Sequence, residues 1–211
     1  FDDAFSIIKK HTGLNSFGVV PFFGAANELP QEDTQSLGRQ KTSVSKDAIK
    51  IYVLKLSRIA NFDDLDPLAA ESDVEVSIIN PGTVVPSDAD LIIIPGSKST
   101  LADLKQIRTE GWDVDIAAHH RRGGYVVGLC GGYQMLGCQI SDPDGIEGDP
   151  SEANGLGLIN ISTVIRGNKI LLETTGFEID TGKPVKGYEM HIGKTSGPGL
   201  DKPWIRLEDG R

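Results

Sequence analysis

The sequence predicts an α/β domain built on a mostly parallel, doubly wound sheet. Residues 91–94 read Leu-Ile-Ile-Ile, an unbroken apolar run of the kind a strand covered on both faces requires. A second apolar run, Tyr125-Val126-Val127, follows only after two helical stretches, and helical crossovers between buried strands make those strands parallel. Both runs end in turn residues, Pro95-Gly96 and Gly128, so both strands stop sharply at one edge of the sheet.

The elements follow in order. Residues 3–11 form a short amphipathic helix carrying Phe5, Ile7 and Ile8, and residues 17–20 a short strand stopped by Pro21. A polar stretch from Asn27 through Thr34, running into the Ser/Lys-rich residues 40–46, reads as linker. A chain that opens in mid-helix without an initiator Met is expected to be a fragment. Residues 1–46 are therefore assigned to the tail of an upstream domain plus linker, and residues 47–211 to the α/β domain. Strands are expected at 49–56 and at 74–80, the latter closed by Pro81-Gly82. After the 91–94 strand, Ser99 or Thr100 caps a helix with Leu101, Leu104 and Ile107 on one face. A second helix, 112–122, passes through Gly123-Gly124 into the strand 125–129. The remainder is richer in Thr, Gly and Pro, with strands expected up to Ile165, at 169–173 and at 187–191.

Composition narrows the classes of function. With 38% hydrophobic and 24% charged residues the chain is globular rather than disordered. A net charge of -9 and no Lys/Arg-rich stretch argue against nucleic acid and anionic membranes as partners. Nothing has the length of a membrane span or the pattern of a signal peptide, and a cytoplasmic location is expected. The two cysteines, Cys130 and Cys138, lack zinc-ligand spacing and share one strand-turn-helix segment, so neither a disulfide nor a metal site is expected.

The segment that carries chemistry is Gly128-Leu-Cys-Gly-Gly-Tyr-Gln134. Its G-x-C-x-G frame (Gly128, Cys130, Gly132) is the thiol counterpart of the nucleophile elbow, a strand-to-helix turn too tight for side chains beside the nucleophile. A free thiol ionises near a pH of about 8.5, so a nucleophilic cysteine needs help. A helix beginning at Gly131 supplies unpaired N–H groups that favour the thiolate and form an oxyanion hole. A second donor is expected from Gly96-Ser97 at the neighbouring strand end, where ligands sit in doubly wound sheets. Each of these residues has a plainer reading. Gly96 and Ser97 end a strand, Gln134 is a surface residue, and Lys98 is solvated or structural. Cys138 is a packed or partly exposed thiol. His11, His119 and His120 interact favourably with helix C-termini. Tyr188 and Glu189 line the pocket or pack.

The motif resembles the nucleophile block of class I glutamine amidotransferases, where the Gln four residues after the Cys holds the substrate. A fuller resemblance is to the amidotransferase half of the cobyric acid synthase family. Ile94-Pro-Gly-Ser-Lys-Ser-Thr100, residues 128–137 and Gly187-Tyr-Glu-Met-His-Ile-Gly193 resemble three of its blocks. Residues 17–21 and 29–33 resemble the end of its amidoligase domain. The resemblance implies a flavodoxin-like sheet with helices on both faces and Cys130 as the catalytic nucleophile. It also implies Gly96 and Gly131 at the oxyanion and Gln134 and Ser97 at the glutamine. The activity implied is hydrolysis of glutamine. The ammonia passes to an upstream amidoligase domain that uses ATP and Mg to amidate a corrinoid, cobyrinic acid a,c-diamide. No P-loop lies on this chain, so those ligands are expected upstream, with no cofactor here. The family's histidine base sits in a G-T-Y-x-H-G block absent from these 211 residues, and the chain is expected to end before it. His191, in the G-Y-E-x-H block, reads as a structural histidine near the pocket rather than the base. The rivals are an amidotransferase subunit serving another synthetase (cobyrinic acid a,c-diamide or cell-wall amidation) and a catalytically silent flavodoxin-like binding module.

Overall fold

The computed structural model describes residues 2–19, 21, 47–59, 63–167 and 170–208. The chain divides into two compact units, residues 1–31 and 32–211. In the first, helix α1 (Asp2–Thr12) closes on Gly13, whose φ of 72° lets its N–H reach the Lys9 carbonyl at 2.9 Å. The strand expected at 17–20 does not form over its described residues. Phe17 is fully exposed, and an isolated apolar run has no ladder to join. The linker expected at 27–46 lies outside the described residues.

The second unit is centred on a wholly parallel sheet of β1 (Ile49–Leu54), β2 (Val74–Ile79), β3 (Leu91–Ile94) and β4 (Tyr125–Gly128), in the order β2-β1-β3-β4. This is the flavodoxin-like order, with its switch point between β1 and β3. Alternation sorts the side chains into two cores. Ile51, Val53 and Ile93 face Leu65 and Leu68, the latter on helix α2 (Asp66–Ala70). Leu54, Ile92 and Ile94 face Leu104 and Ile107 of α3 (Thr100–Thr109), Trp112 and Ile116 of α4 (Trp112–Arg121), and Met135 of α5 (Gly131–Met135). Helices thus cover both faces, as the apolar run at 91–94 requires.

Two smaller sheets follow. One contains β5 (Gln139–Asp142), β6 (Ser151–Asn154), β7 (Ser162–Val164) and β10 (Lys194–Ser196), in the order β10-β7-β5-β6. The other pairs β8 (Ile170–Glu178) with β9 (Pro184–His191) and β11 (Ile205–Leu207), all antiparallel. The expected strands at 169–173 and 187–191 are the cores of β8 and β9, which run longer. The strand expected up to Ile165 is only the three-residue β7. Of the neighbouring histidines, His119 is buried and its ring meets the Tyr125 carbonyl at 3.0 Å, a structural contact.

Candidate active site

Cys130 occupies the turn between β4 and α5. Its backbone is at φ 48° and ψ -109°, and among the described residues it is the one non-glycine with positive φ. Holding an L-residue there costs on the order of 1–3 kcal/mol, strain of the kind that concentrates at nucleophile elbows. The side chain is exposed, so the turn presents sulfur to the outside instead of burying it.

The flanking glycines are required by contact. A Cβ on Gly128 would fall 2.5 Å from the Gly132 carbonyl, and one on Gly132 would fall 2.1 Å from the Ile94 carbonyl oxygen. The turn therefore lies directly on the end of β3. The Leu129 N–H donates to the Ile94 carbonyl at 2.9 Å, which fixes the height of Cys130 above that strand. A Cβ on Gly131 would sit 3.2 Å from the Ser97 backbone nitrogen and 3.1 Å from Thr100 Oγ1, so the loop after β3 forms the wall beside the turn that carries Cys130. Gly131 opens α5, and its N–H has no preceding helical turn to bond.

Gln134 is not a surface residue: it is buried, with 9% exposure. Its amide joins three segments, Oε1 accepting from Thr100 Oγ1 at 3.3 Å and Nε2 donating to the Ile192 carbonyl at 3.2 Å. His191, next to Ile192, meets Glu189 Oε1 through Nε2 at 2.7 Å, two residues along the same strand. Lys98 is exposed, and its N–H donates to the Arg58 carbonyl. Cys138 is also exposed, with only long sulfur contacts to Ile159 and Asn160.

Two acids next to this wall were not anticipated. Glu147, half-buried on the loop between β5 and β6, accepts from the Thr100 N–H at 2.5 Å and from Thr100 Oγ1 at 3.0 Å. It caps α3 from a distance, whereas Ser99, expected to cap it, makes no side-chain cap bond. Burial pushes the Glu147 carboxyl upward, opposed by its bonds to Thr100. Asp142, itself buried, holds the Glu147 loop by accepting from the Ile146 and Glu147 N–H groups. The other acid, Asp103 on α3, is completely buried beside Ser97, and burial raises its carboxyl as well. The Thr100-x-x-Asp103 spacing could have flagged it as a capping pair. Among the described residues there is no group of three His, Cys, Asp or Glu able to hold a metal ion.

A strained, exposed cysteine after β4 thus stands beside the Ser97–Thr100 segment after β3, at the carboxyl ends of a parallel sheet. The fold is shared with solved structures. One titled PurLQS from Thermotoga maritima superposes with a TM-score of 0.56 at 17% identity, covering 76% of this chain and 75% of that one. Another, titled glutamine amidotransferase, gives 0.52 at 16% identity, covering 76% and 81%. The chain belongs to the CobB/CobQ-like glutamine amidotransferase domain family, whose model matches residues 50–211. A protein named cobyric acid synthase in Ruegeria sp. (strain TM1040) is 50% identical over 208 residues, 99% of this chain. One of the same name in Caulobacter sp. (strain K31) is 49% identical over 210 residues, 100% of this chain. This chain spans 42% of the Ruegeria protein's length and 43% of the Caulobacter protein's.

Proposed function

We propose that this chain is the glutamine-hydrolysing part of a cobyric acid synthase. A histidine takes the thiol proton as Cys130 Sγ attacks the side-chain amide carbon of glutamine. The oxyanion forms against the Gly131 N–H and the Gly96-Ser97 loop, donors of a kind worth about 3 kcal/mol each in acyl-transfer sites. The C–N bond then breaks and ammonia leaves with a proton from a histidine. Water hydrolyses the glutamyl thioester, returning the thiol. Ammonia is consumed by an ATP- and Mg-dependent amidoligase domain of the same polypeptide, which amidates a corrinoid, cobyrinic acid a,c-diamide, in the cytoplasm. The observation that carries the reading is the exposed, positive-φ cysteine packed through Gly131 onto the Ser97 segment.

Gln134 and Ser97 are the proposed glutamine contacts. Gln134 has a second amide N–H beyond the one given to Ile192, and that one is left for substrate. A second reading of the base is favoured by the 2.7 Å contact between Glu189 and His191, since a carboxylate that orients an imidazole is the usual support of a thiol's base.

Glutamate release by the full polypeptide carrying this chain tests the proposal. Cys130→Ser should lower it on the order of a hundredfold or more, and undiminished release would overturn the assignment. Release by residues 1–211 alone, abolished in His191→Ala, would place the base at His191; release by the full polypeptide but not by residues 1–211 alone would place it outside them.

A further inference from the structure

Asp103 is one turn into α3, with none of its side chain exposed. A buried carboxylate costs several kcal/mol of desolvation and is repaid only by well-placed donors. Here the donors are few. Oδ2 accepts from Ser97 Oγ at 2.7 Å, Oδ1 has the Arg58 guanidinium at 3.9 Å, and the Arg58 backbone N–H also favours the carboxylate. Capping of α3 does not explain the residue, because Glu147 already takes the Thr100 N–H. Stability alone does not explain it either, since an apolar side chain would fill the same space without the penalty.

What Asp103 does hold is a loop. Ser97 Oγ, while donating to Asp103, accepts from the Ser99 N–H at 3.0 Å, and the Asp103 N–H donates to the Ser99 carbonyl at 3.0 Å. These bonds curl residues 97–99 over the start of α3. The same loop is tied to the segment after β1 by the Ile59–Ser97 bridge and by Lys98 N–H to the Arg58 carbonyl at 2.8 Å. One helical turn further on, Gln106 fixes that segment from α3, accepting from the Ser57 N–H and Oγ and donating to the Lys55 carbonyl. Thus α3 pins both loops at the switch point between β1 and β3. Ser97, the residue Asp103 grips, is also the one against Gly131.

We propose that Asp103 is a positioning residue of the glutamine site, its buried carboxylate locking the Gly96-Ser97 wall at the distance from Cys130 that the oxyanion needs. This rests on Cys130 being the nucleophile. A wall displaced by an ångström loses its donors at the tetrahedral stage while the thiol itself is untouched.

The test is alkylation of Cys130, resolved from Cys138 by peptide mass, in the full polypeptide carrying this chain: by the glutamine analogue 6-diazo-5-oxonorleucine, with the saturating rate and half-saturation read separately, beside iodoacetamide. Asp103→Leu removes the grip and the buried charge together and should melt no lower than the parent. Asp103→Asn keeps an acceptor for Ser97. The leucine variant should react with the analogue on the order of tenfold more slowly at saturation, with its iodoacetamide rate within about twofold of the parent and the asparagine variant within about threefold. A leucine variant as fast as the parent, or an asparagine variant as slow as leucine, would overturn the positioning role. A parent polypeptide whose Cys130 reacts with iodoacetamide but not with the analogue would instead overturn the nucleophile reading beneath it.

Discussion

The parallel sheet and the β11-β8-β9 sheet treat similar residues in opposite ways. Ile92, Ile93 and Ile94 on β3 are at most 3% exposed, whereas Leu171 and Leu172 on β8 are 65% and 53% exposed. Successive strand residues point to opposite faces, so β8 leaves apolar surface open on both sides. Tyr188 and Met190 on β9 add to it. The difference separates support from chemistry. Helices on both faces of the parallel sheet give it the packing to hold one residue at positive φ, and the strained cysteine stands at its edge. The antiparallel sheet carries the Glu189–His191 contact but has little burial of its own with which to hold a strained geometry.

A pair of glycine substitutions breaks the comparison most sharply. Gly132→Ala drives a Cβ into the Ile94 carbonyl and should cost about 3 kcal/mol or more while disrupting the elbow. Gly187→Ala on β9 meets nothing within 4 Å and should raise stability by about 0.5 kcal/mol, because alanine loses less backbone entropy than glycine. Denaturant unfolding of both variants measures the contrast, and equal effects would show that the two sheets do not differ in this way.

A smaller effect lies in the pH dependence. Burial raises the carboxyls of Asp103 and Glu147 above their ordinary values of 3.8 and 4.5. The native state then binds more protons than the unfolded state from those values upward, so these two groups cost stability as pH rises through that window. Asp88, on the solvent side of the sheet, is lowered by its bond to Lys50 and has the opposite sign, giving stability that is lost as pH falls below 3.8. The Asp103→Asn, Glu147→Gln double variant should therefore gain on the parent as pH rises from the ordinary carboxylate range, read by melting temperature across pH. A constant difference would contradict the burial of these acids.

How much of this was legible in the sequence follows from how local each signal is. The strands β3 and β4 and the turn at Cys130 are written in adjacent residues: an apolar run, then glycines at fixed spacing. The short strands β5, β6, β10 and β11 carry no such pattern. Gln-Ile-Ser-Asp becomes a strand by pairing with Ser-Glu-Ala-Asn across an intervening loop and with β7 on its other side. The converse failure is residues 17–20, where a β-prone run has no partner strand among the described residues of its unit. In the site, the cysteine and its glycines were readable, but Glu147 was not, because it reaches Thr100 across 47 positions of sequence. Gln134 was read as a surface or substrate residue because its partners, Thr100 and Ile192, come from other segments of the chain.

Cys130 and Cys138 are both exposed thiols, and only the first stands on the strained turn. Mass-spectrometric location of the adduct after exposure to 6-diazo-5-oxonorleucine is therefore the most direct test of the central claim. The expected result is modification of Cys130 alone, blocked by excess glutamine. An adduct shared equally with Cys138, or one that glutamine fails to compete away, would contradict it.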